Sequence, residues 1–228
     1  MSCEQKERYR EILKNEKNSK GRTHLGTLQS LLQLTSHPAL LDKNWNMKSS
    51  EELLNGGPKL KSVINILKEV KKKNEKALIF TTFKIMQLIL QRVIREKFEL
   101  DEIPIINGES KHRLASVDRF NISEGFGCMI LSPRAAGTGL NITGANHVIH
   151  YTRWWNPAVE QQATDRVYRI GQDRDVNVYY PIMTAERETI EEKLHRLLEE
   201  KKRLAKNIIV PNNPIQGELI REMNEDMS

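Results

Sequence analysis

The chain has 228 residues, 38% hydrophobic and 29% charged, which is enough apolar material for a buried core in one or two domains and too much for bulk disorder. No apolar run approaches the roughly 18 residues of a membrane span, and the first residues lack a signal peptide's apolar stretch, so neither a membrane-spanning nor a secreted protein is expected. Lysine and arginine number 36 against 30 acidic residues; the net +6 permits a polyanionic partner such as nucleic acid without demanding one. Cys3 lies in a polar leader and Cys128 in an apolar run, so no disulfide framework and no cysteine-based metal site is read, and a reducing compartment is expected.

In chain order, Lys6 to Glu16 is charged and helix-prone, and Gly21 interrupts it. Leu25, Leu28, Leu31, Leu32 and Leu34 recur near helical spacing, and His37-Pro38 ends that helix because the residue before proline is pushed out of the α region. Asn44 to Gly57 reads as a polar loop closed by Gly56-Gly57-Pro58. From Pro58 helices alternate with short apolar strands. Leu60, Val63, Ile64, Leu67 and Val70 mark an amphipathic helix, Ala77 to Phe80 a strand, and Ile85 to Ile94 a second helix. Ile103 to Ile106 is a strand whose proline suits an edge, and Leu114, Val117 and Phe120 mark a third helix. Cys128 to Leu131, His147 to Tyr151 and Val176 to Tyr180 are further strands; a last helix runs over Ile190, Leu194, Leu197, Leu198 and Leu204.

Continuous apolar runs suit a parallel sheet covered on both faces, so the fold class is α/β. Residues 1–57 form a helical leader, 58–184 the α/β lobe, and 185–228 a C-terminal helix and tail.

In an open parallel sheet, function collects in loops at the carboxyl ends of strands. Leu131 to Asn141 is one such loop, where small residues and Gly137 and Gly139 let backbone amides approach a phosphate, and Thr138 and Asn141 offer side-chain bonds. A dinucleotide fingerprint fails there, because Ile142 stands where its last glycine belongs. Asn156 to Gln172 is the second: Asn156 suits an N-cap, Pro157 the first helical position and Gly171 the stop. On that helix Gln162, Asp165 or Arg166, and Arg169 fall on one face, a row able to clamp phosphoryl oxygens; local ion pairs on a solvated face explain it equally well. Third, Trp154-Trp155 precede this helix; one indole is expected in the core and at least one facing outward.

These segments in order carry a resemblance. Lys76 to Lys193 resembles the C-terminal RecA-like lobe of the SWI/SNF-type superfamily 2 ATPases: Leu78 to Phe83 resembles motif IV, Ile106-Asn107-Gly108 with Arg113 and Asp118 to Asn121 the next block, Ser132 to Asn141 motif V, and Gln162 to Gln172 motif VI. Trp155-Asn156-Pro157 is typical of this family, and Leu31 to Leu41 is similar to the leader preceding the lobe. Three positions depart from the pattern: Thr152 where aspartate is usual, Ala136 where a second glycine is common, and Thr82 where glutamine is frequent.

The resemblance implies a RecA-like parallel sheet flanked by helices, with the leader before it and a brace helix after it. It implies ATP and Mg²⁺ in a cleft between two lobes, both held mainly by an N-terminal lobe, with Arg166 and Arg169 of this chain as arginine fingers and Gln162, Gly137 and Gly139 beside the nucleotide. It also implies contacts from Thr81, Thr82, Arg134, Thr138 and Trp155 to the backbone of duplex DNA, nonspecific and weakened by salt. The sequence has no G-x-x-x-x-G-K-[ST] and no D-E-x-H segment, so the chain is expected to be inactive alone. The rival expectation is an ATP-independent DNA- or protein-binding module on the same fold.

Lys71-Lys72-Lys73 and Lys201-Lys202-Arg203 read as solvated helix ends, and His147 and His150, on opposite faces of a strand, make no metal site. The compact form is expected of a bacterial or archaeal source, hence a cytoplasmic, nucleoid-associated protein; a eukaryotic source would make it nuclear.

Overall fold

The five apolar runs between Lys76 and Tyr180 all become strands of one parallel sheet. The structure, a computed structural model, describes residues 1–18, 24–136, 139–168, 172–207 and 223. The strands are β1 (Lys76–Phe80), β2 (Ile105–Ile106), β3 (Gly127–Leu131), β4 (His147–His150) and β5 (Asn177–Tyr179), in the order β2-β3-β1-β4-β5. In the centre Ala77 pairs with Cys128 on one side and His147 on the other, and Phe80 with Leu131 and His150. All five residues of β1 are buried, which is why the run lacks polar alternation.

The period-2 pleat divides these residues between two cores. Ala77, Ile79, Ile130 and Ile149 pack against α4 (Pro58–Lys72) and α5 (Lys84–Phe98) through Leu60, Val63, Leu67, Ile89 and Val93. Leu78, Phe80, Met129, Leu131 and Val148 pack on the other face against α6 (Arg113–Ile122), α7 (Pro133–Ala136) and α8 (Pro157–Thr164), through Val117, Phe120, Ala135 and Ala163. A third cluster joins the two ends of the chain. Leu28, Leu31 and Leu32 of α2 (His24–Ser36) meet Ile190, Leu194, Leu197 and Leu198 of α9 (Ile190–Asn207) and Met223, with Tyr9, Ile12 and Leu13 of α1 (Cys3–Asn18) at its margin.

One segment departs from expectation. Within the polar stretch read as a loop, Ser50–Gly56 forms a helix, α3. Ser49 Oγ accepts from the Glu52 amide at 3.2 Å and Glu52 Oε2 accepts from the Ser49 amide at 2.6 Å, a capping box that starts the helix. Leu53 then anchors it in the α4/α5 core. Packing therefore runs across residue 57. His37 holds the corner: its Nδ1 accepts from the Ala39 amide at 3.0 Å, so Nε2 carries the proton and donates to the Leu53 carbonyl at 2.8 Å. Burial keeps this imidazole neutral, below its ordinary pKa. Gly57 passes so close that a Cβ there would lie 2.5 Å from the ring, which makes glycine necessary at that turn. No described helix is long and apolar enough to cross a membrane.

Candidate functional site at the carboxyl edge of the sheet

Backbone pairing past the strand ends aligns three loops. Thr81 donates its amide to the Leu131 carbonyl at 3.0 Å, Ser132 to Ile106 at 2.9 Å, and Thr152 to Phe80 at 3.3 Å. Thr152 Oγ1 accepts from the Thr82 amide at 2.9 Å and lies 3.3 Å from Thr82 Oγ1. A hydroxyl can satisfy that amide without a carboxylate's charge, so threonine serves at the position where the resemblance leads one to expect aspartate. Buried Gln87 of α5 donates to the Thr81 carbonyl at 3.2 Å and accepts from Asn107 Nδ2 at 2.9 Å, which fixes the loop after β2. A pocket of about 370 Å³ opens beside these loops, between α2 and α9, lined by Leu32, Ser36, Thr82, Phe83, Trp155 and Leu194.

The expected DNA-facing residues separate by exposure. Thr82 and Trp155 are half-buried and Arg134 is exposed, its guanidinium 5.5 Å above the Trp154 ring. Trp155 packs on the α2/α9 cluster, so both indoles are partly covered and partly open. Thr81 differs. It is fully buried and its hydroxyl has no partner among the described residues, so in this conformation it does not reach a backbone phosphate. Thr138 and Gly137 lie outside the described residues. Gly139 is exposed at φ +80° with no atom within 4 Å of a Cβ position, so backbone conformation, not crowding, selects glycine there.

The helix after the tryptophans starts as expected and stops early. Asn156 Oδ1 accepts from the Ala158 amide at 2.9 Å and Pro157 takes the first position. α8 ends at Thr164, because the Arg166 carbonyl turns away to accept from the Ile142 amide at 3.2 Å. Gln162 stays exposed on α8 while Arg166 turns inward to 7% exposure, so the single face of Gln162 and Arg166 expected from helical spacing does not form. Asp165 instead accepts from Gln161 Nε2 at 2.8 Å. Arg169 and Gly171 lie outside the described residues. Arg166 Nε is buried without a hydrogen-bond partner, and no described residue forms an ion pair with this guanidinium.

Sequence reasoning missed the charged network that seats α8. Arg153 forks onto Glu160 through Nε–Oε1 and Nη2–Oε2, each 2.8 Å, and reaches Glu199 of α9 at 2.8 Å. Lys202 of α9 closes the ring at 3.0 Å from Glu160, and Arg153 stacks 4.2 Å over the Tyr180 ring. Burial raises the Glu160 pKa, but Arg153, His150 and Lys202 outweigh it and hold the carboxyl below its ordinary value. The spacing of Arg153 and Glu160 around a capped helix start was the available signal; Glu199 and Lys202 offered none beyond ordinary helix-surface charge.

His150 sits in this network, stacked between Phe80 (5.3 Å) and Tyr180 (5.1 Å), its Nε2 2.9 Å from Thr164 Oγ1. Burial lowers its pKa to about 4; Glu160 opposes the shift, and Arg153 and Lys202 assist it. Because the folded value lies below the unfolded 6.5, the unfolded chain binds more protons between them. The contribution is complete above pH 6.5 and is lost as pH falls toward 4, about 3 kcal/mol in all. Urea unfolding at pH 7 and pH 5 is expected to show about 2 kcal/mol of that loss. His150→Phe, which keeps a ring in the stack, should flatten the slope; an unchanged slope would assign it to another group.

The sheet and its edge loops form a RecA-like α/β lobe. The helicase conserved C-terminal domain family matches residues 58–171, and the chain belongs to it, as the C-terminal RecA-like lobe of the SWI2/SNF2 type. The putative ATP-dependent helicase/translocase YwqA of Bacillus subtilis is 41% identical over 203 residues, 88% of this chain and 21% of that protein. The Sulfolobus solfataricus SWI2/SNF2 ATPase core in complex with dsDNA is 31% identical at a TM-score of 0.74, covering 100% of this chain and 47% of that one. The C-terminal domain of the S. solfataricus SWI2/SNF2 ATPase is 29% identical at a TM-score of 0.69, covering 93% and 87%. The chain spans about a fifth of the length of the curated relatives it matches.

Proposed function

We propose that this chain is the second motor lobe of an ATP-dependent duplex-DNA translocase. In that role it supplies arginine fingers and DNA-backbone contacts to a cleft shared with an N-terminal RecA-like lobe. One observation carries the reading: Arg166, buried at the end of α8, holds a guanidinium whose Nε has no partner among the described residues. A buried donor without an acceptor is costly, and a phosphoryl oxygen is the acceptor it fits once a local rearrangement, as for Thr81, opens a path to it. Family membership and the dsDNA complex of the Sulfolobus relative support the same reading.

ATP with Mg²⁺ supplies the free energy of the cycle when bound, held mainly by the N-terminal lobe. Arg166 and Arg169 of this chain would stabilise charge on the phosphoryl oxygens, with Gln162, Gly137 and Gly139 beside them. Thr82, Arg134, Thr138 and Trp155 would touch the DNA backbone, without sequence preference and with affinity falling as salt rises; Thr81 would join them only after a local rearrangement. In a bacterium or archaeon the protein would be cytoplasmic and nucleoid-associated, and in a eukaryote nuclear.

The test is ATP turnover, with and without duplex DNA, for this chain alone and joined to an upstream P-loop lobe. Silence alone and DNA-stimulated turnover when joined is the expected result. A joined protein that binds DNA and never turns over ATP would move the assignment to an ATP-independent binding module.

A further inference from the structure

The opposite, amino edge of the sheet carries a second polar site. Lys76 opens β1 there and is 5% exposed, and no described carboxylate pairs with it. Its ammonium donates to the Phe120 carbonyl at 2.6 Å and to the Ser123 carbonyl, at the end of α6, and lies 5.1 Å over the Phe120 ring. Arg174, just before β5, bonds the Gly144 carbonyl at 2.8 Å through Nη2 and makes no ion pair among the described residues. Burial, and then the charge of Arg174, hold the Lys76 ammonium below the ordinary lysine value.

Both cations line a pocket of about 330 Å³, together with Asn74, Ser123, Thr143 and Gly144. No carboxylate lines it, although Glu124, Asp173 and Asp175 are close in sequence and exposed. Side-chain hydrogen bonds frame the pocket. Asn121 accepts from the Gly144 amide at 3.0 Å and donates to the Asn141 carbonyl at 2.9 Å. Gln172 holds the Thr143 and Ala145 carbonyls at 3.1 and 2.6 Å, which gives the last residue of the motif VI segment a structural task at this edge.

The point charge of Lys76, the planar fork of Arg174 and the side chains of Asn74 and Thr143 line one polar hollow. That donor set matches a tetrahedral oxyanion with three or more oxygens to satisfy. We propose that this pocket is a binding site for a small phosphate, inorganic phosphate or a phosphomonoester, distinct from the carboxyl-edge site. An anion there relieves the mutual repulsion of Lys76 and Arg174, so occupancy strengthens the joint between α6, β1 and the loop before β5.

The experiment titrates the chain with inorganic phosphate at constant ionic strength, with chloride as control, and follows backbone amide NMR shifts. The expected result is saturable shifts confined to residues 121–125, 143–144 and 174, weakened about tenfold or more in Arg174→Gln. Arg174 is exposed, so that variant leaves the fold intact. Lys76→Met, if it folds, should abolish the shifts. Shifts that cluster instead around Thr82 and Arg166, or that chloride reproduces, overturn the proposal. A short duplex that moves the amino-edge amides when phosphate does not would also overturn it, assigning the pocket to a phosphodiester backbone.

Discussion

Arg166→Ala, introduced into this chain joined to a P-loop lobe, is expected to lower DNA-stimulated ATP turnover on the order of a thousandfold, with little change in thermal stability. The rate effect is the usual worth of a guanidinium aimed at a transferring phosphoryl group. The small stability effect follows from the structure. No described residue forms a hydrogen bond or ion pair with the Arg166 side chain, so its removal orphans no buried partner among the described residues. The turn keeps its place, because the bond that fixes it runs from the Ile142 amide to the Arg166 main-chain carbonyl. Arg166→Lys separates charge from shape: a lysine retains the charge but not the planar fork, and turnover should stay far below that of the arginine protein. The loss should fall on kcat, since the contact strengthens as charge builds during transfer. A variant that loses stability and activity together, or retains full turnover, would remove Arg166 from the site.

How much of this was legible in the sequence depended on the range of the interaction concerned. The sheet was readable because Ala77 to Phe80 and Cys128 to Leu131 are buried on both faces, and double burial writes a continuous apolar run. The start of α8 was readable because Asn156 and Pro157 act locally. Its end was not: the bond to the Ile142 amide spans 24 residues and overrides a helical pattern that continues to Arg169. α3 was missed although Ser49 and Glu52 spell its capping box, because the surrounding polar residues obscured a single buried Leu53. Thr81 and Thr82 look alike in sequence, yet strand pleating buries the first completely and leaves the second half-buried. Arg153 and Lys59 carry little signal in the sequence, because their buried partners Glu160 and Glu191 lie on other elements.

Lys59 leads to the second large effect. Its ammonium meets the Glu191 carboxylate with both residues 4% exposed or less, joining the first turn of α4 to the first turn of α9 across 132 positions. The other Glu191 oxygen accepts from the Met183 amide at 2.8 Å. Lys59 also lies 5.1 Å over the ring of Tyr151, whose hydroxyl donates to the Ser36 carbonyl at 2.9 Å, so α2 is tied into the same joint. Burial lowers the Lys59 pKa and Glu191 opposes that shift, which is the pattern of a charge kept only by its partner. Lys59→Met therefore leaves a carboxylate buried without a counter-ion, and urea unfolding should show a loss of about 3–5 kcal/mol. Adding Glu191→Leu removes the stranded charge, and the double variant should recover most of that loss despite having fewer polar contacts. Equal losses in the single and double variants would mean that the pair holds the helices by shape alone. The expected recovery would instead show that desolvation of Glu191 sets the cost, with hydrophobic contacts from Leu194 and Leu198 carrying α9 against α2.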